Sequence, residues 1–385
     1  MTHPFRLLRN PRHGVPGVVV LPNSGFHRAA AAIRAWPGYA PTPLLSMPEV
    51  AADAGIGAVH YKDESGRFGL GSFKALGGAY AVARVLEAAR ARRSGDAVQT
   101  VCCATDGNHG RAVAWGAGRF GARCVIFVHA GVSQGRRDAI AALGAEVRQV
   151  PGHYDDSVRE AARMAEAEGW IVVSDTSWPG YTEPPRDIMQ GYRLMADEAM
   201  TALPEPPTHI FIQAGVGGVA AAVSAQSRLR LGTGTRVVVV EADGAACLLA
   251  SAEAGGMAAA PGEPDTLMAG LACGEPSLLA WQELERAAFA FMTVPDSAVA
   301  PAMRLLAQRV PPVEAGESAV AGLIALQLAA ADKAARQALE LDGASRVLLF
   351  GTEGATDPDL YASLIGATTP ALTRPPPVHM MTKLP

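Results

Sequence analysis

The chain is 385 residues long, with Lys+Arg 33 against Asp+Glu 37 and a net charge of −4. This balance sets up no basic field, so no nucleic-acid partner is expected. Hydrophobic residues make up 49%, yet no run approaches the roughly 20 apolar residues of a membrane span, so no membrane partner is expected either. A chain of this composition can bury a sizeable core, and a cytoplasmic enzyme is the expectation. The five cysteines (Cys102, Cys103, Cys124, Cys247 and Cys273) are odd in number and lack a C-x-x-C spacing. That argues against a disulfide framework and a structural zinc. The nine histidines are scattered and Asp155-Asp156 has no partner ligands nearby in sequence, so no metal site is expected.

The first 48 residues carry five arginines and no acid before Glu49, and Pro4, Pro11, Pro16 and Pro22 interrupt any long helix. They read as an arm without the apolar run of a secretory signal. Apolar, β-rich runs follow at residues 59–61, 100–103, 123–128, 170–174, 209–212, 236–240, 289–294 and 346–350. Alanine-rich stretches with helical spacing lie between them at 75–93, 110–120, 136–143 and 157–169. Strands alternating with helices predict an α/β fold with largely parallel sheets, and apolar runs without polar alternation predict strands covered on both faces. The clearest break is the Pro-Glu-Pro-Pro of residues 204–207. The stretch from Pro370 is a proline-rich tail.

Four loops carry candidate chemistry. Residues 62–78 read KDESGRFGLGSFKALGG, with Lys74 between a Gly/Ser-rich loop and a helix. Among small, apolar neighbours a lysine loses solvation and its pKa falls, which suits Schiff-base chemistry; a solvated lysine at a helix start is the alternative. Thr105-Asp106-Gly107-Asn108-His109-Gly110 sits between a strand and a helix, as an anion-binding loop would or as a helix cap by Asp106 or Asn108 would. Ala214-Gly215-Val216-Gly217-Gly218-Val219 is a strand–glycine loop–helix that can cradle a phosphate. Gly215, Gly217, Ala220 and the later Glu241 also fit a dinucleotide pattern, so an NAD-binding reading stays open here. Finally, Gly351-Thr352-Glu353-Gly354 ends a buried strand in small polar residues.

Taken in order, these segments resemble the fold-type II pyridoxal-phosphate enzymes, such as threonine dehydratases, threonine synthase and cysteine synthase. The resemblance implies two open, mainly parallel twisted sheets flanked by helices. It implies a large cofactor-binding domain from residues 1–85 and 205–369, a small domain from 86–204, and a tail at 370–385. Lys74, in Ser72-Phe73-Lys74, would carry pyridoxal 5'-phosphate as a Schiff base, with Phe73 beside it. Asn108 would sit by the cofactor's 3-oxygen, Gly215, Val216, Gly217, Gly218 and Val219 would hold the phosphate, and Thr352 would meet the pyridine nitrogen. A neutral hydroxyl there leaves the ring a weaker electron sink, which favours prompt β-elimination.

The resemblance narrows at TDGNHGRAVAW (105–115), YDDSVREAA (154–162), SDTSWPGYTEPPRDIMQGY (174–192), QAGVGGVA (213–220), MAGLACGEP (268–276), the Gly316-Glu317-Ser318 element and GTEGATD (351–357). These look like the diaminopropionate ammonia-lyase family. The implied reaction is α,β-elimination of D- or L-2,3-diaminopropionate to pyruvate and ammonia. Lys74, Asp106 and Asp175 would be catalytic. Ser72, Thr105, Asp106, His109 and Tyr154 would bind a small amino-acid substrate, and the chain would be a homodimer. A substrate of either hand needs a base on each face of the cofactor, and a departing amine needs a carboxylate near it. Cys247 and Cys273 fall near the family's substrate entrance, where a reversible pairing is open and reduced thiols are the expectation. Glu183-Pro184-Pro185 would stiffen the segment after Asp175. Alternatives are a serine or threonine dehydratase-like lyase, a β-replacement synthase, or a cofactor-binding regulatory protein without activity.

Overall fold

The structure is a computed structural model that describes residues 4–92, 98–105 and 107–366. In chain order the elements are β1 (Leu7–Arg9), α1 (Asn23–Arg34), β2 (Leu44–Ser46), α2 (Pro48–Ala54), β3 (Ala58–Asp63), α3 (Ala75–Arg92), β4 (Thr100–Ala104), α4 (Asn108–Phe120), β5 (Arg123–His129), α5 (Gln134–Ala141), β6 (Glu146–Val150), α6 (Tyr154–Glu168), β7 (Ile171–Val172) and α7 (Glu183–Ala202). The second half continues with β8 (His209–Gln213), α8 (Gly218–Leu231), β9 (Arg236–Ala242), α9 (Cys247–Ala254), α10 (Leu278–Ala287), β10 (Ala290–Val294), α11 (Val299–Ala307), α12 (Ala321–Ala331), α13 (Lys333–Leu339), β11 (Arg346–Gly351) and α14 (Pro358–Ile365).

Two sheets form. The larger has the order β1-β10-β9-β8-β11-β3-β2, and the smaller β6-β5-β4-β7. Pairing is parallel throughout the smaller sheet and antiparallel only at the two edges of the larger, where β1 meets β10 and β2 meets β3. The apolar runs are explained by what covers them. In β9, Val237 and Val239 enter one hydrophobic cluster while Val238 and Val240 enter another. In β11, Leu348 and Phe350 go to the first cluster and Val347 and Leu349 to the second. Both faces are buried, so the two-residue period of a strand leaves no polar stripe.

The elements missing from the sequence reading have physical reasons. Strands β1 and β2 are three-residue edges, and β6 (EVRQV) is a partly exposed edge strand with polar residues between its valines. Helix α7 was masked by Pro184-Pro185, which look like a breaker but form its first turn. There a missing N–H removes no helical hydrogen bond. The 204–207 break lies between α7 and β8.

Helix α7 earns its place through Gly191. A Cβ there would lie 2.0 Å from the Leu76 carbonyl oxygen, so only glycine lets α7 lie directly against α3. Gln190 donates to the Pro22 carbonyl at 2.9 Å. The Met189-Gln190-Gly191-Tyr192 run is thus a packing motif for three helices.

Candidate active site

In a parallel sheet the loops leaving the carboxyl ends of the strands form the ligand-binding edge. Here β3, β4, β7, β8 and β11 lead into the loops that carry Lys74, Thr105–Asn108, Asp175, Gly215–Gly217 and Thr352–Glu353. Side chains from the two sheets meet there. Lys74 Nζ donates to Asp175 Oδ2 at 2.7 Å, and each side chain is only about one-fifth exposed.

Backbone ties hold the lysine loop in place. Phe73 N–H donates to the Thr352 carbonyl at 3.1 Å, Gly354 N–H donates to the Gly71 carbonyl at 2.9 Å, and Ser72 is bridged to Glu353. The end of β11 therefore fixes the approach to Lys74. The Phe73 ring packs at 4.6 Å from the Tyr192 ring, and Lys74 Nζ lies 5.6 and 5.9 Å from the two ring centres. Burial alone would lower the pKa of Lys74, but Asp175, and Tyr192 after it, raise it above the ordinary lysine value. The sequence-based expectation of a lowered lysine pKa is corrected by this ion pair, which local sequence could not reveal. Burial would likewise raise Asp175, yet Lys74 holds it well below the usual carboxylate range.

Asp175 is placed by a turn. Trp178 and Tyr181 exchange backbone hydrogen bonds around Gly180, whose φ is +88°, and their rings stack at 4.2 Å. The Tyr181 hydroxyl donates to the Val172 carbonyl at 3.0 Å and accepts from Ser174 N–H at 2.9 Å. The Trp178–Thr182 run thereby fastens the chain on both sides of Val173, just before Asp175.

In the asparagine loop the Thr105 hydroxyl accepts from the N–H groups of Gly107 and Gly110 at 3.2 and 3.3 Å. Thr105 thus serves the start of α4, whose N-cap is Gly107; Asn108, read as a possible cap, is the first helical residue. Asp106 lies outside the described residues. Asn108 Nδ2 donates to Glu353 Oε2. His109 Nε2 lies 2.7 Å from the Val173 carbonyl, which can only accept, so this nitrogen carries the proton. Among the described residues its Nδ1 is buried without a hydrogen-bond partner, 3.8 Å from Asp175 Oδ2. Burial lowers the His109 pKa, which favours the neutral ring.

At the glycine loop, Gly217 takes φ +97° and α8 begins at Gly218. The first N–H groups of a helix lack intrahelical partners and point at the space before it. A Cβ on Gly215 would lie 2.9 Å from Cys273 Sγ, and one on Gly217 3.0 Å from Ala280 Cβ. The missing side chain of Gly218 faces Met189 and the Asp175 carbonyl at 3.7 and 4.0 Å. Ser277 N–H holds the Val216 carbonyl at 2.9 Å and the Ser277 hydroxyl meets that of Ser177 at 2.7 Å, tying this loop to the Asp175 segment. Val219 is half-buried on the first turn of α8. Cys247 and Cys273 both lie close to Gly215 without forming a disulfide, and Cys247 Sγ donates to the Gly215 carbonyl at 3.7 Å.

Thr352 is buried, and its hydroxyl oxygen accepts from Gln213 Nε2 at 2.8 Å. The same nitrogen donates to the Phe350 carbonyl at 2.7 Å. Gln213 therefore occupies the acceptor side of the hydroxyl and leaves its hydrogen for another partner. Tyr154 opens α6 with 40% of its surface exposed. It shares the carboxyl edge of the smaller sheet with Thr105.

The cluster suits pyridoxal phosphate on its own chemistry. A lysine sits in a cleft among aromatic rings, a glycine cradle opens a helix where a phosphate would rest, and among the described residues Tyr192 Oη and His109 Nδ1 are buried polar atoms without hydrogen-bond partners. These features define a class, and the model of that class, pyridoxal-phosphate dependent enzymes (PALP), matches residues 35–353. The chain is 39% identical over 365 residues to the diaminopropionate ammonia-lyase of Escherichia coli K12, covering 88% of this chain and 89% of that one. It is 36% identical over 389 residues to the diaminopropionate ammonia-lyase of Salmonella typhimurium, covering 93% and 96%. The holo diaminopropionate ammonia lyase structure from Escherichia coli superposes with a TM-score of 0.88 at 35% identity, covering 95% of this chain and 97% of that one. The chain thus belongs to the pyridoxal-phosphate dependent enzymes and, within them, to the diaminopropionate ammonia-lyase family.

The dinucleotide alternative falls away with this result, and Glu241 shows why. Its carboxylate accepts from the N–H groups of Leu248 and Leu249 at 2.7 Å each. It serves the start of α9 rather than a ribose, and burial pushes its pKa up to about 8. Among the described residues no group of His, Cys, Asp and Glu is arranged to hold a metal, and no helix is long and apolar enough to cross a membrane. Gln213, Tyr192 and Glu353 lay inside recognised segments, but their roles depend on partners far away in sequence.

Proposed function

We propose that this chain eliminates ammonia from 2,3-diaminopropionate, giving pyruvate and two ammonia molecules with the uptake of one water. The observation that carries the reading is the 2.7 Å contact between Lys74 Nζ and Asp175 Oδ2, a base and a carboxylate side by side in one cleft. Pyridoxal phosphate, when bound, supplies the carbonyl that takes the substrate amine and the electron sink that acidifies Cα. Lys74 is the residue that carries it and, once free, takes the Cα proton from one face. Asp175, ionised beside Lys74, holds the departing amine as ammonium, since an unprotonated amine is a poor leaving group.

Asp106 is assigned to the opposite face and serves the other isomer. Ser72, Thr105 and His109 are assigned to the substrate, with Tyr154 at the outer edge. Asn108 is assigned to the cofactor's 3-oxygen, Gly215–Val219 to the phosphate through the start of α8, and Thr352 to the pyridine nitrogen through the hydrogen that Gln213 leaves free. The working form is a cytoplasmic homodimer, with residues 1–85 and 205–369 as the cofactor domain and 86–204 as the smaller one.

The test is 2-oxo-acid release by the yellow holoenzyme, as pyruvate from D- and L-diaminopropionate and serine and as 2-oxobutyrate from threonine. Faster turnover of diaminopropionate supports the reading. Faster turnover of serine or threonine makes the chain a dehydratase-like lyase. Asp106→Asn should abolish exchange of the Cα proton for one isomer only, and equal loss for both would refute the two-face assignment.

A further inference from the structure

Glu353 follows Thr352 at the end of β11 and is 5% exposed. Its main chain is held on two sides: the carbonyl accepts from Gly316 N–H at 3.0 Å, and the residue is bridged to Ser72. A Cβ on Gly316 would come within 3.0 Å of Glu353 Cγ, so the side chain is also confined. Its carboxylate is divided between two donors from different parts of the fold. Oε1 accepts from Ser318 N–H at 3.2 Å, and Oε2 accepts from Asn108 Nδ2. Among the described residues no Lys or Arg nitrogen lies within ion-pair distance of it; the charged groups facing it are Arg111 of α4 and Glu317, and Glu317 is itself paired with Arg136 at 3.2 Å, which also meets Asp357 at 3.4 Å.

The orientation of an amide side chain is set by its partners. A buried carboxylate accepts and does not donate, so Asn108 must turn its NH2 toward Glu353. One of the two N–H bonds is then used, and the second is fixed in the amide plane, pointing away from Glu353. An asparagine free to flip would offer its carbonyl half the time, and a carbonyl repels an ionised oxygen. Hydrogen bonds to a charged acceptor are also stronger and polarise their donor.

We propose that Glu353 is the positioning residue that locks the Asn108 amide with its NH2 toward the cofactor's 3-oxygen, and that its charge, relayed through that amide, raises the proton affinity of the lysine-bound cofactor. The proposal rests on the assignment of Asn108 to the 3-oxygen made above. Glu353 touches no reacting atom in this scheme.

The test uses the holoenzyme without substrate, titrating its visible absorbance against pH in wild type, Glu353→Gln, Asn108→Ala and the double variant. Removing one negative charge at this range should lower the midpoint by about one pH unit in Glu353→Gln. In the Asn108→Ala background the same change should have less than about a third of that effect, because the relay is gone. An unchanged midpoint in Glu353→Gln overturns the proposal, as does a full shift that persists without Asn108. If Asn108→Ala alone alters neither the midpoint nor the affinity for pyridoxal phosphate, the assignment of Asn108 fails, and the proposal with it. Should Glu353→Gln not fold, Glu353→Asp retains the charge but is too short to hold both donors, and it should match Asn108→Ala. A wild-type midpoint in Glu353→Asp then refutes the positioning role.

Discussion

Replacing Gly191 by alanine tests whether α7 determines the placement of Lys74. The new Cβ would stand 2.0 Å from the Leu76 carbonyl oxygen, 2.7 Å from its carbonyl carbon and 3.0 Å from Gly77 Cα. All three are backbone atoms of the first turn of α3, so no side chain can rotate away. Ordinary contact begins at 3.4 Å, so α7 and α3 must separate by about 1.4 Å. Leu76 is two residues past Lys74, whose carbonyl accepts from Gly78 N–H at 2.8 Å, so the displacement reaches the lysine. Its 2.7 Å bond to Asp175 has no slack for such a shift. Overpacking of this kind costs about 1–3 kcal/mol, and a misplacement near 1 Å at a reacting group lowers turnover by about 100-fold. The assay pairs thermal unfolding with pyridoxal-phosphate affinity and pyruvate release. Gly66→Ala is the control, because nothing lies within 4 Å of its Cβ position. If Gly191→Ala matches that control in Tm, cofactor affinity and turnover, the reasoning fails.

Asp175→Asn should remove the partner that raises Lys74, lower the lysine's pKa, and reduce pyruvate release by about 100- to 10,000-fold, read from initial rates. Gln213→Leu deletes the bonds of 2.7 and 2.8 Å to Phe350 and Thr352; it should lower stability by about 1–3 kcal/mol and weaken cofactor affinity, measured by denaturant unfolding and cofactor titration. Glu241 has a folded pKa near 8 against an ordinary 4.5, so its contribution to stability is complete below about 4.5 and is lost as pH rises through about 8. Glu241→Gln should therefore flatten the fall of Tm across that window, and a wild-type slope in the variant would refute the linkage.

What the sequence revealed tracks how local each cause is. The interior strands β8 to β11 were legible because burial on both faces imposes a continuous apolar run. The edges β1, β2 and β6 were not, since they are short or half-exposed. Lysine, asparagine and glycine loops could be recognised as segments, yet the charge state of Lys74 could not. Its pKa is set by Asp175, 101 residues away. Likewise Gln213 was visible as the residue before the glycine loop, while the Thr352 hydroxyl it orients lies 139 residues on. Glu241 shows the opposite failure: a spacing that fits a dinucleotide site belongs to a carboxylate that caps a helix seven residues downstream.

Helix α7 carries none of the groups assigned to chemistry, but much of the site's rigidity passes through it. Near its carboxyl end Glu198 accepts from Lys62 at 2.6 Å and from Arg67 at 2.7 Å, and Arg67 also binds Glu64 at 2.7 Å. These four charges are almost wholly buried, and they balance. Breaking a buried pair by removing one partner costs about 3–5 kcal/mol, so this cluster tolerates little displacement. Lys62 and Arg67 lie on the segment that leads from β3 to Lys74, so one end of that loop is fixed to α7. Gly191 brings α7 against the first turn of α3, which fixes the other end. On the far side Arg230 donates to Asp197 at 2.6 Å, tying α7 to α8 and hence to the helix whose start forms the glycine cradle. A single helix thus spaces the lysine from the cradle. That placement comes from rigid packing on both sides of the cleft, and it accounts for a protein with no basic field holding an anionic cofactor: the donors are local and their positions are fixed.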